Sequence, residues 1–335
     1  MAETTPVTVV TGFLGAGKTT LLNHLLRQPA LARAAVLVNE FGDIGLDHLL
    51  VRTLDDSTVL LNAGCLCCSV RGDLARALRE MLPRARRDEI SRIVIETTGL
   101  ADPLPILATL MTDPVAASAY RLDGIVTVVD AVNGAAHLDT QEEAVHQVAV
   151  ADRILISKAD LADPSALHPR LRRLNPGAPM AEIRHGVIDP AFVLNAGPVD
   201  PAARSPDLRH WLDTAAYDTA HDHHHHDRNR HDARIGAFCV TLDRPLDWMA
   251  LSMWLEMLVA LKGEHLLRIK GILNLRGHDR PLVIHAVRHL LHPPVRLPAW
   301  PEGDPRTSRL VFITRDLPQA VIEDGLRAFQ DAAAL

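Results

Sequence analysis

The first half of the chain alternates short β-branched runs with longer segments whose apolar residues recur at helical spacing. Strands are predicted at 6–11, 35–39, 58–62, 92–96, 124–130 and 153–157, and helices at 18–27, 70–82, 104–111, 141–150 and 165–174. Runs such as Ile93-Val94-Ile95 and Ile154-Leu155-Ile156 are apolar at every position, as in strands buried on both faces. Strands and helices in this alternation predict an α/β fold built of βα units around a mostly parallel sheet.

Beyond about residue 189 the pattern loosens, and 197–207 is rich in proline among small and polar residues, which reads as a linker. A histidine-rich stretch follows at 221–232. Strand-like runs at 238–242 and 309–313 and a helical one at 248–261 then predict a smaller α+β domain. The expected organisation is a first domain over 1–196, a linker over 197–234 and a second domain over 235–335. Trp248, Met249, Met253, Trp254 and Met257 fall at helical spacing, and core packing is the expectation for them.

Composition narrows the class of protein. With 47% hydrophobic and 23% charged residues the chain has ordinary globular usage. No apolar run reaches the roughly 18 residues that a spanning helix needs, and the first residues lack the pattern of a signal peptide. A soluble protein of the cytoplasm is expected, with no membrane partner. The net charge of −6 and 4% aromatic content leave no electrostatic footprint for nucleic acid.

The strongest chemical signal is Gly12-Phe13-Leu14-Gly15-Ala16-Gly17-Lys18-Thr19, which fits G-x-x-x-x-G-K-[ST] between a predicted strand and a predicted helix. In that context Gly12, Gly15, Ala16, Gly17 and Thr20 supply a backbone cradle for phosphates at a helix N-terminus. Lys18 reaches the β and γ phosphates, and Thr19 offers its hydroxyl to Mg2+. Glu96 ends a buried strand and either completes the Mg2+ site or caps the next loop. Lys18, Thr19 and Glu96 are the expected catalytic group. Neither a catalytic glutamine nor an arginine in the same chain can be assigned by spacing, so slow intrinsic hydrolysis is expected.

Ser157-Lys158-Ala159-Asp160, after another buried strand, resembles the guanine-reading N-K-x-D motif. A carboxylate at Asp160 accepts from the N1–H and exocyclic amine of guanine, donors that adenine lacks, and the stem of Lys158 would lie along the base. Serine in place of the usual asparagine predicts a weaker tie between this loop and the phosphate loop.

Three of the four cysteines, Cys65, Cys67 and Cys68, fall within four positions after the predicted strand 58–62. Such clustering points to metal or redox chemistry, and thiolates suit Zn2+ and Cu+, with Co2+ open to a tetrahedral sulfur site. Three thiolates leave a tetrahedral ion one ligand short, and an open position permits exchange. Glu40, Asp43, a client protein or water could supply the fourth ligand. His223, His224, His225 and His226 form the centre of the histidine-rich stretch. They serve either as accessory ligands that collect ions or as part of a solvated linker.

These motifs together resemble the CobW family of GTP-dependent metal chaperones, within the SIMIBI class of P-loop GTPases. The likeness rests on 12–20, on Asn39-Glu40-Phe41-Gly42-Asp43, on Gly64-Cys65-Leu66-Cys67-Cys68, on Glu96 through Pro103 and on the Ser157 to Asp160 loop. It is less specific in the second half, where Gly263 through Gly271 carries it. The resemblance implies GTP and Mg2+ as cofactors, zinc or cobalt on the Cys-x-Cys-Cys loop near the nucleotide, and an unidentified metal-requiring client. A nucleotide-modulated zinc buffer or sensor is the alternative, and an oligomer is compatible with either.

Overall fold

The structure, a computed structural model, describes residues 4–39, 58–61, 69–197, 217 and 234–333 of the 335. Glu40, Asp43, Asn62, Cys65, Cys67, Cys68, residues 197–207 apart from Gly197, and the histidine-rich stretch lie outside the described residues. The chain divides into two compact units, the first formed by residues 1–168 and 179–197 and the second by residues 169–178 and 198–335.

Among the described residues the first unit is built on a seven-stranded sheet. Its strands are β1 (Thr5–Thr11), β2 (Ala34–Asn39), β3 (Thr58–Leu61), β4 (Arg92–Glu96), β5 (Tyr120–Asp130), β6 (Arg153–Ser157) and β7 (Met180–Glu182). They run in the order β3-β2-β4-β1-β5-β6-β7, and every pairing is parallel. The helices are α1 (Lys18–Leu25), α2 (Ser69–Arg86), α3 (Leu104–Thr112), α4 (Pro114–Ala119), α5 (Gly134–Thr140), α6 (Glu142–Ala149), α7 (Leu167–Leu174), which begins in this unit and continues into the second, and α8 (Pro190–Val193). Leu21, Leu22 and Leu25 of α1 pack into one core with Val10, Val36, Val94, Val126 and Leu155 of five adjacent strands. All five residues of β4 and of β6 are buried, which accounts for their unbroken apolar runs.

β4 enters between β1 and β2, so the chain direction across the sheet reverses beside β1. A reversal of this kind opens a crevice at the carboxyl ends of the strands, where ligands of open α/β sheets bind. At the opposite pole a buried polar cluster fixes the strand starts. The Arg92 guanidinium donates to the Asp123 carboxylate, to the Thr8 hydroxyl at 3.1 Å and to the Asn195 side-chain oxygen at 2.9 Å. Asp123 also accepts from the Thr8 hydroxyl at 3.0 Å and from the Asn195 backbone N–H at 2.9 Å. This polar staple ties β1, β4 and β5 to the segment that ends the unit.

The second unit holds an antiparallel sheet of β8 (Ile235–Leu242), β9 (Leu266–Leu273), β10 (Leu282–Val287), β11 (Leu290–Leu291), β12 (Val295–Arg296) and β13 (Ser308–Arg315). Their order is β11-β10-β9-β13-β8, with β12 also on β10. Helices α9 (Trp248–Lys262) and α10 (Gln319–Ala332) share a core with this sheet. Trp254 meets Phe312 edge-on at 6.2 Å, and Phe312 stacks with Phe238 at 5.6 Å.

The expected core role of the tryptophans and methionines of α9 holds for Trp254 alone. Leu251, Trp254, Leu255 and Leu258 face the sheet at i, i+3, i+4 and i+7, whereas Met249 and Met253 are 66% and 55% exposed. Trp248 and Met257 are also exposed. Apolar residues on every side of this helix give periodicity no means of choosing which side is buried.

Replacing Asp123 by Ala leaves the Arg92 charge buried without its carboxylate. We expect a loss of about 3 kcal/mol or more in unfolding free energy, read from urea denaturation.

Candidate nucleotide-binding site

The phosphate loop leaves β1 at Gly12, whose φ is 143°. A Cβ at this position would lie 2.2 Å from the Val128 carbonyl oxygen in β5, so only glycine can make the turn. Gly17 precedes α1 with φ 93° and without a side-chain cap, the arrangement in which phosphate oxygens accept the first-turn N–H groups. The Lys18 ammonium is 8% exposed and donates to the carbonyls of Gly12 at 2.8 Å and Phe13 at 3.2 Å. It therefore lies across the loop that it serves.

Beside it the Thr19 hydroxyl donates to Glu96 Oε1 at 3.0 Å. Register pairs Val10 with Glu96, which puts this 5% exposed carboxylate at the rim next to the phosphate loop. A hydroxyl and a carboxylate within hydrogen-bond reach form a hard oxygen donor set that fits Mg2+. The next residue is fixed as well: Thr97 donates its N–H to the Val10 carbonyl at 2.9 Å and its hydroxyl to that of Thr11 at 2.8 Å. Gly99 then passes so close to the phosphate loop that a Cβ there would lie 2.5 Å from the Leu14 nitrogen.

The loop after β6 joins from the other side. The Ser157 hydroxyl donates to the Ala16 carbonyl at 2.6 Å, so the serine ties its loop directly to the phosphate loop. Lys158, with φ 57°, directs its ammonium to Asp130 Oδ2 at 2.6 Å. Asp130 further accepts from the Val132 N–H at 2.7 Å and the Asn133 amide at 2.9 Å. Burial pushes the Asp130 carboxyl up, but the bonds from Lys158, Asn133 and Val132 outweigh it and hold the pKa below the ordinary 3.8. The Asp160 carboxylate is about a quarter exposed, with His185 Nε2 at 3.8 Å.

Thus Gly12, Gly15, Ala16, Gly17, Lys18, Thr19 and Glu96 form one group, which Ser157 ties to the loop of Lys158 and Asp160. Asp130 is a site residue that motif reading passed over; its signal was an acidic residue ending a buried strand, as with Glu96. Among the described residues no three His, Cys, Asp or Glu side chains are grouped to hold a metal ion. No described helix is long and apolar enough to cross a membrane.

A parallel sheet with this loop, lysine and strand-end carboxylate defines a P-loop nucleotide-binding protein. The chain belongs to the CobW family: the CobW/HypB/UreG nucleotide-binding domain matches residues 6–182 and the cobW C-terminal domain matches 235–330. It is a GTPase of that family, working with GTP and Mg2+.

The zinc chaperone YjiA of Escherichia coli is 35% identical over 319 residues, which cover 94% of this chain and 96% of that one. The crystal structure of the Zn(II)-bound YjiA GTPase from E. coli superposes with a TM-score of 0.70 at 31% identity, covering 98% of this chain and 99% of the other. The zinc-regulated GTPase metalloprotein activator 1 of Schizosaccharomyces pombe is 38% identical over 194 residues, covering 55% of this chain and 47% of that protein.

Removing the serine hydroxyl in Ser157→Ala leaves the Ala16 carbonyl short of a donor. We expect GTP and GDP to bind about five- to tenfold more weakly, measured by calorimetry, because a lost hydrogen bond is worth about 1 kcal/mol. The depressed pKa of Asp130 gives stability that is fully present above the unfolded value near 3.8 and lost as pH falls through the folded one. The stability gap between the wild type and Asp130→Asn should therefore shrink as pH is lowered from about 5 to about 2, as read by urea unfolding at each pH.

Proposed function

We propose that the chain is a GTP-dependent zinc chaperone that holds zinc on Cys65, Cys67 and Cys68 and passes it to a client protein when GTP is hydrolysed. The observation that carries this reading is where β3 ends. Asn39 is in register with Leu61, and Val38 pairs with both Leu60 and Glu96, so the chain leaves β3 at the rim that carries the phosphate loop. Cys65 is four residues beyond Leu61, a tether of at most about 14 Å, and Cys68 immediately precedes Ser69 at the start of α2. The thiols are thus tied at both ends to elements of the nucleotide domain.

In the proposed cycle Lys18 neutralises charge on the β and γ phosphates, while Thr19 and Glu96 would hold Mg2+, which supplies charge neutralisation at the transferring phosphoryl group. Ser157, Lys158 and Asp160 select guanine. Three thiolates bind zinc while leaving a position for exchange, to be filled by Glu40, Asp43, water or the client's own ligand. Hydrolysis relaxes the loop after β2 and weakens the zinc site. The names of the YjiA and S. pombe relatives, a zinc chaperone and a metalloprotein activator, support zinc and a client. His223, His224, His225 and His226 act as an accessory store.

Zinc, cobalt and nickel titrations of the reduced protein, with and without Mg2+ and a non-hydrolysable GTP analogue, test the coupling. Zinc affinity should rise at least about fivefold with the analogue, and nucleotide affinity should rise by the same factor with zinc. Equal affinities in both arms would sink the switch. Zinc release that ignores an added apo-metalloprotein would leave a nucleotide-modulated buffer instead. Deleting 221–232 should lower the number of ions bound and leave GTP binding intact.

A further inference from the structure

We propose that Gln147 is a positioning residue for hydrolysis: its buried amide holds the loop after β4 against the phosphate loop. The proposal rests on the reading of this site as a GTPase centre.

Gln147 lies on α6 and is 1% exposed. Its Nε2 donates to the Gly99 carbonyl at 3.2 Å and to the Ala101 carbonyl at 3.1 Å, so both amide protons grip one short stretch of backbone. Its backbone carbonyl accepts from the Thr127 hydroxyl of β5 at 2.7 Å. The grip therefore runs from β5, the strand against which Gly12 turns, through α6 to the loop that begins at Glu96.

That loop is fastened at its start, where Thr97 bonds to Val10 and Thr11, and is gripped further on by Gln147. Between Glu96 and Leu104 the chain is neither strand nor helix, and Gly99 is the point at which it presses on Leu14 of the phosphate loop. Losing the grip would free Gly99 to drift from Leu14 and would loosen the carboxylate three residues earlier. The binding groups, Lys18 and the first turn of α1, are held by other contacts.

Gln147 Oε1 is buried and has no hydrogen-bond partner among the described residues. It lines a recess with Phe13, Thr127, Asp130 and His137 that has room for about one water molecule. A methionine would fill the same space without burying an unmet acceptor, so packing alone gives no reason for an amide. The Thr98 hydroxyl, in the gripped loop, is likewise buried without a partner among the described residues. The loop is thus held with a polar group unspent beside the phosphate site.

The test is steady-state GTP hydrolysis and GDP binding by the full chain carrying Gln147→Met or Gln147→Glu. Gln147→Met should lower kcat at least about tenfold, the scale expected when reacting groups are displaced by a fraction of an ångström, with KM and GDP affinity within about twofold of wild type. In Gln147→Glu a protonated carboxyl can donate to one of the two carbonyls and an ionised one cannot. Its kcat relative to wild type should therefore fall as pH rises from about 6 to about 9. Wild-type kcat in Gln147→Met would overturn the proposal, as would GDP affinity lost in step with kcat. If the methionine variant does not fold, the pH ratio of Gln147→Glu decides, and a flat ratio overturns the proposal. A wild-type chain without GTP turnover would overturn the GTPase reading itself, and the proposal with it.

Discussion

The contact on which the site depends is the approach of Gly12 to the Val128 carbonyl, where the phosphate loop turns off β1 against β5. Backbone packed on backbone leaves no side chain to adjust, so the loop's position is set by the sheet itself. Two more contacts complete the clamp, one of backbone and one of a side chain. Gly99 meets Leu14 from the β4 side, and the Ser157 hydroxyl reaches the Ala16 carbonyl from β6. Three parallel strands thus hold one loop, which is why Lys18, Glu96 and Ser157 share a frame although they are far apart in sequence.

Within that frame the charged side chains are held by partners from the protein itself. Lys18 is almost fully buried, and burying a cation is costly unless it is hydrogen-bonded or paired. The carbonyls of Gly12 and Phe13 meet that cost in part, and Thr19 does the same for one oxygen of Glu96. Lys158 is spent on Asp130, which also caps the turn that follows β5. The arrangement is preorganised: nucleotide phosphates would meet a lysine already oriented by its own loop.

Legibility of the fold followed burial. β4 and β6 were readable to their ends because apolar runs buried on both faces stop at a polar residue, Glu96 or Ser157. β5 begins at Tyr120, four residues before the predicted start, because Asp123 and Gly124 look like a break in the sequence. In the fold Asp123 is paired with Arg92 and Gly124 packs on Ala196. α2 runs through Pro83 to Arg86, past the proline that marked its predicted end. In the second unit β9 buries Arg268 and Lys270 among apolar residues, and β11 and β12 are two residues each, so neither kind of strand shows a clear apolar period. The site was legible where a motif fixes backbone and chemistry together, as at Gly12 to Thr19. Asp130 carried the same strand-end signal as Glu96 but no motif to flag it, and Gln147 escaped because its contacts with Gly99 and Ala101 are tertiary and no local spacing encodes them.

β4 shows how the two poles of the first unit are joined. In five residues it begins with Arg92, locked into the cluster with Asp123 and Asn195, and ends with Glu96 at the Thr19 hydroxyl. A strand hydrogen-bonded to β1 and β2 along its whole length cannot slide without breaking both ladders. The segment from Asn195 to Gly197 is fastened to the start of the same strands, since a Cβ at Gly197 would lie 2.4 Å from the Asp123 carbonyl oxygen. The place where the chain leaves the nucleotide domain is therefore fixed relative to the Glu96 carboxylate.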